Sequence, residues 1–97
     1  MKNVFISERL AQELPDWVPH LLWYAIADHW EMHGERQVFE LTHERGMQRI
    51  RHTQDFPPYE NAVEFPCPEA VDAVIVVRIS KVKTVMMLAE EENNGHN

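Results

Sequence analysis

The sequence predicts an α+β domain in which one long amphipathic helix packs on a mostly antiparallel sheet built from two hairpins and an N-terminal strand. Three observations predict it. Residues 16–33 repeat apolar side chains at helical spacing. Residues 37–55 and 71–90 each hold two β-prone arms around a polar turn. Between them, Pro57, Pro58, Pro66 and Pro68 exclude a helix or an interior strand.

Val4 to Ser7 is a short apolar run and reads as the first strand. Ser7 to Leu14 fits a helical turn. Leu14-Pro15-Asp16 is a helix-start signal, with Asp16 able to cap free amides and Pro19 in the first turn, where a missing N–H is harmless. The expected helix runs to His33, and Gly34 is the expected left-handed stop. At about 100° per residue, Val18, Leu21, Leu22, Ala25, His29 and Met32 share one face, which Ile26 widens. Trp23 and Trp30 form a second apolar flank. An arc this wide exceeds one sheet face, so loops or a partner chain must cover the flank.

In the first hairpin, Glu44-Arg45-Gly46 makes the turn. Pairing Leu41 with Ile50 puts Phe39, Leu41, Ile50 and His52 on one face and sets Glu40 opposite Arg51 on the other. Ala62 to Phe65 fits a short edge strand, and Phe56, Tyr59 and Phe65 are large enough to pin the proline-rich segment to the body. Ala73-Val74-Ile75-Val76-Val77 is almost wholly β-branched. The return arm is Thr84 to Ala89. Both arms are apolar on both faces, the pattern of strands covered on two sides.

The 97 residues suit one domain, taken as residues 1–92 with 93–97 as a disordered tail. Cys67 is alone, which excludes an internal disulfide or a Cys-based zinc site and points to a reducing compartment, hence the cytoplasm. The opening apolar run is too short for a signal peptide, and no stretch approaches the ~20 apolar residues of a membrane span. The net charge of −7 argues against a nucleic-acid partner. Arg45, Arg49 and Arg51, like Arg78, Lys81 and Lys83, read as solvated strand and turn charges. Three unclustered glycines make no phosphate-cradling loop, and no cofactor is expected.

Several strings, taken together, carry a resemblance. They are Leu14-Pro15, Leu21-Leu22-Trp23, Gln37-Val38-Phe39-Glu40-Leu41, Gln48-Arg49-Ile50-Arg51-His52-Thr53-Gln54, Pro58-Tyr59 and Met86-Met87-Leu88-Ala89-Glu90-Glu91. In this order they resemble the domain of unknown function 960 family, small proteins of Gram-positive bacteria and their phages. The sequence departs from that pattern at the basic turn Ser80-Lys81-Val82-Lys83 and lacks a closing tyrosine after Glu91. The resemblance implies a whole-chain domain of bacterial or phage origin and no particular activity.

Chemistry-bearing residues are few. His29 and His33 stand at i and i+4, the spacing that offers two imidazoles to one metal, with His52 or Glu31 as a third ligand. The structural alternative is a core histidine at His29 and a helix-end cation at His33. Without a third ligand at defined spacing, no metal is expected, and His29 is expected to be at least partly buried. Cys67, between two prolines, has nothing nearby in sequence to lower its pKa. Glu90, Glu91 and Glu92 read as a solvated strand end. No residue is assigned a catalytic role. The surplus of aromatic and apolar side chains favours a small accessory protein that acts by contact, as a homodimer or with another protein, and not at a membrane. The expected interface is Trp23, Trp30, Val74, Val76, Met86 and Leu88. The alternative is a metal-binding or small hydrolytic domain using His29, His33 and His52.

Overall fold

A computed structural model of the chain describes residues 3–28 and 30–94. In chain order the elements are strand β1 (Asn3–Ile6), helix α1 (Glu8–Glu13), helix α2 (Trp17–Asp28) and a 3₁₀ turn (Trp30–Met32). Strands β2 (Arg36–Glu44), β3 (Met47–Gln54), β4 (Tyr59–Pro66), β5 (Ala73–Ile79) and β6 (Lys83–Leu88) follow, then helix α3 (Ala89–Asn94). The class is α+β. The six strands form one sheet of order β1-β6-β5-β2-β3-β4, antiparallel except where β1 runs parallel to β6.

The first hairpin has the register expected from its side chains. Leu41 pairs with Ile50, Phe39 with His52 and Glu40 with Arg51. Arg45 and Gly46 both take positive φ, 55° and 78°, as a two-residue turn between twisted strands requires. Joined to β5 through β2, this hairpin makes the two halves one sheet. The edge strand between the hairpins is longer than Ala62–Phe65: β4 pairs with β3 from Tyr59 to Pro66. As an edge it tolerates Pro66, whose missing N–H breaks no ladder.

The helical part differs from expectation. Residues 8–28 form two helices, and α2 is 12 residues long, ending at Asp28 rather than His33. Ser7 caps α1, its Oγ accepting from the Leu10 amide. Pro15 disfavours helix at the residue before it, and Leu14 is extended at φ −120°, ψ 149°, so the chain turns there and restarts at Trp17. Val18, Leu22 and Ile26 of α2 are buried with Leu10 against Phe39, Leu41, Ile75, Val77 and Met86. Burying three large aliphatic side chains contributes roughly 1.5–3 kcal/mol each.

Gly34 serves a purpose other than a left-handed stop. Among the described residues the glycine with positive φ is Gly46. At Gly34 a Cβ would fall well inside contact distance of the Phe56 carbonyl oxygen, so close approach of two backbones selects glycine there. Gln54 fixes that approach. Its Oε1 accepts from the Gly34 amide at 2.8 Å, and its Nε2 donates to Met32 O at 2.9 Å and Pro57 O at 2.7 Å. Gln48 acts likewise on the link before β5, donating to Val71 O at 3.0 Å and accepting from Val71 N at 2.7 Å. Both glutamines are buried, and these bonds offset their desolvation.

The outer face of the sheet, opposite α2, is covered in part by α3, which the sequence reading placed in strand and tail. Asn93 and Asn94 belong to this helix; residues 95–97 lie outside the described residues. Glu92 accepts from Arg36 Nη2 at 2.8 Å and Arg78 Nη1 at 3.0 Å. Hydrogen bonding to Arg36 first, then to Arg78, pulls the Glu92 carboxyl down to about 2 against the cost of its burial. Glu91 accepts from the Ser7 hydroxyl at 2.7 Å and the Leu88 amide at 2.8 Å, and Glu90 bonds Arg9. The three glutamates therefore hold α3 down.

Candidate functional site

A concavity opens where the end of α2 meets the β5–β6 turn. The turn is set by Ser80, whose Oγ donates to Lys83 O at 3.1 Å and accepts from the amides of Lys83 at 3.2 Å and Val82 at 3.4 Å. Asn3 of β1 donates to Val82 O at 3.3 Å, which ties the sheet edge to the same turn. Trp23 and Ala27 come from α2, and the 3₁₀ turn swings Trp30 and then His33 over the opening. The Ile79 amide donates to Glu35 O at 2.8 Å, which pins the incoming chain against β5.

These elements enclose a cleft of about 730 Å³. Val4, Ile79 and Thr84 line its sheet side, Trp23 and Trp30 its helix side, and Lys81, Lys83 and Glu35 also border it. The two indoles pack edge to face, centroids 5.8 Å apart at 62°. The His33 imidazole stacks on Trp30, centroids 4.0 Å apart at 22°, and its Nδ1 lies 2.5 Å from Trp30 O. Trp23 is half-buried against the core and Trp30 is exposed, so one indole is a fixed wall and the other a rim. Two lysines and one glutamate leave the mouth with a positive excess in a chain of net charge −7. The arrangement suits an apolar group that carries or adjoins negative charge. The Ser80 hydroxyl at its border donates to Lys83 O.

Of the six residues expected at an interface, Trp23 and Trp30 line this cleft. The other four do not join them. Met86 and Leu88 face α2 in the core, 1% and 7% exposed. Val76 is 1% exposed on the outer face, which α3 partly covers, and Val74, on the same face, is 44% exposed. The arms of the 71–90 hairpin look surplus in sequence because α2 covers one face and α3 part of the other.

The histidines are dispersed. His33 borders the cleft. His52 is buried, stacked on Phe39 at 4.1 Å and edge-on to Tyr59 at 5.2 Å, with Nε2 2.6 Å from Gln37 Oε1. His29 lies outside the described residues. Among the described residues no group of three His, Cys, Asp or Glu side chains is placed to hold a metal ion. No helix among them is long and apolar enough to cross a membrane.

Sequence reasoning missed Lys81, Lys83 and Glu35 as site residues and misassigned Phe56. Phe56 does not pin the proline-rich segment; it is 84% exposed, the most exposed large apolar side chain described. Phe65 does pin it, edge-on to Trp17 at 6.0 Å. The signal for Phe56 was its setting, Asp55-Phe56-Pro57-Pro58, a tight polar and proline turn that leaves a side chain no core to reach.

No family model matches the sequence, and no curated protein matches it. The fold is similar to a solved one, the crystal structure of a protein of unknown function from Enterococcus faecalis. The two superpose with a TM-score of 0.79 over 93% of this chain and 90% of that one, at 15% sequence identity. At that identity the likeness shows the fold alone.

Proposed function

We propose that this chain is a small accessory protein that works by contact with another protein chain, and that the cleft walled by Trp23 and Trp30 is the contact site. The observation that carries this reading is the pairing of two indoles with an apolar sheet floor under a lysine-bearing mouth. Tryptophan in a concave, water-excluding setting is the residue most enriched where binding energy concentrates. The matching ligand is an aromatic or aliphatic side chain next to a carboxylate. The single half-buried Cys67 favours a cytoplasmic setting, and kinship with the domain of unknown function 960 family rests on the six sequence strings.

Selection of short peptides on the native chain tests the reading. Selected peptides should carry an aromatic residue beside Asp or Glu, and their binding should quench tryptophan fluorescence. Trp30→Glu and Lys83→Glu should each weaken binding at least about tenfold while circular dichroism is unchanged. Peptides that bind both variants as tightly as the unmodified chain would place the contact elsewhere.

A further inference from the structure

We infer that the partner of the cleft is a second copy of this chain, with Phe56 of each protomer seated between Trp23 and Trp30 of the other. The inference rests on the cleft reading above and adds the identity of the occupant. The cleft is a hole in search of an apolar side chain, and this molecule displays one. Phe56 is 84% exposed at the tip of the β3–β4 turn. A cleft of about 730 Å³ has room for its phenyl ring.

The projection is held rigidly. Gln54 ties the turn to Met32 and Gly34 through Nε2 to Pro57 O and Met32 O, and Oε1 from the Gly34 amide. The Phe56 backbone lies against Gly34 too closely for any side chain at that position. A side chain presented in a fixed position loses little freedom on insertion, which makes it an effective anchor.

Knob and hole also share a border. His33 and Glu35 line the cleft on one side and the groove beside Asp55, Phe56 and Pro57 on the other. A protruding group next to a matching recess on one surface is the condition for a twofold interface, in which the same contact is made twice. Charge agrees with that docking. Asp55 precedes Phe56, and Lys81, Lys83 and Glu35 border the cleft that Phe56 would enter, so each insertion brings a carboxylate to a rim with one net positive charge.

Sedimentation equilibrium of the full chain between about 10 and 500 µM, the range of a modest interface, tests this. The unmodified chain should approach twice the mass of one chain. Phe56→Ser, at an exposed position, should weaken dimerisation at least about tenfold without loss of fold. Trp30→Ala should do the same by opening the hole. An equimolar mixture of Phe56→Ser and Trp30→Ala should associate more tightly than either alone, because it restores one intact knob and hole. A monomeric unmodified chain, an undiminished Phe56→Ser dimer, or a mixture no tighter than its components would each overturn the inference. A monomer that still binds acidic aromatic peptides through Trp30 would remove the second copy and leave the cleft reading standing. Loss of both would remove both.

Discussion

The outer face of the sheet is solved in two ways on its two halves. Over β5 and β6 it carries Val76 and Met87, and α3 lies back across that half, held by Glu92 on Arg36 and Arg78. Over β2, β3 and β4 the face is left to solvent, with Arg51 between Glu40 and Glu60 at 3.0 and 2.8 Å. The first half depends on burial and needs a cover. The second carries cross-strand charge pairs that solvent largely screens, and needs none. A short helix at the chain end is therefore tied to the one region of this face that water would penalise.

The largest effect that would break this comparison is at Val76. Val76→Glu puts a carboxylate where the side chain is 1% exposed, and should cost about 3–5 kcal/mol in urea unfolding. Val74→Glu, two residues away on the same face at 44% exposure, should cost about 0.5 kcal/mol or less. Equal losses at the two positions would mean that α3 does not divide the face.

The two halves were unequally legible in sequence. The register of β2 and β3 could be read because one alternation satisfied both faces: Leu41 with Ile50 inward and Glu40 with Arg51 outward. The second face of the 71–90 hairpin could not. Its cover, α3, is six residues rich in glutamate and asparagine with no amphipathic period, and its anchors Arg36 and Arg78 are distant in sequence. Without α3 in view, Val76 looked like free interface. Gly34 was misread because a glycine after a helix usually relieves a positive φ, whereas here it admits the Phe56 backbone. Of the cleft, the indoles were legible as surplus apolar surface. Lys81 and Lys83 were not, since only the folded β5–β6 turn brings them to Trp30, and Glu35 was not, since its place at the rim depends on the Ile79 amide that holds the link before β2 against β5.

A smaller effect sharpens the account of the covered half. The Glu92 carboxyl is depressed to about 2 by its two arginines. A depressed carboxyl adds stability that is fully present above its unfolded value, near 4.3, and is lost as pH falls toward 2. Glu92→Gln should therefore lower stability by about 1–2 kcal/mol at pH 7, and the gap to the unmodified chain should close between about pH 5 and pH 2. A pH-independent gap would assign the loss to helix packing. Amide hydrogen exchange in β5 and β6 should quicken in the variant, since their outer face is what α3 protects.

The smallest effect belongs to the open half. Arg51 is half-exposed, and both of its carboxylate partners are about as open to water. Its pKa is raised by hydrogen bonding to Glu60 and then Glu40, but exposed pairs give back most of that in solvent screening. Arg51→Met keeps the aliphatic stem that lies across β2 and β4 and removes only the charge. The urea midpoint at pH 7 should shift little, and by still less in 1 M salt, where the Debye length is about 3 Å. A drop in the urea midpoint as large as that of Glu92→Gln, persisting in salt, would show that the open half is held by this residue as firmly as the other half is held by α3, and the contrast between burial and charge pairing would fail.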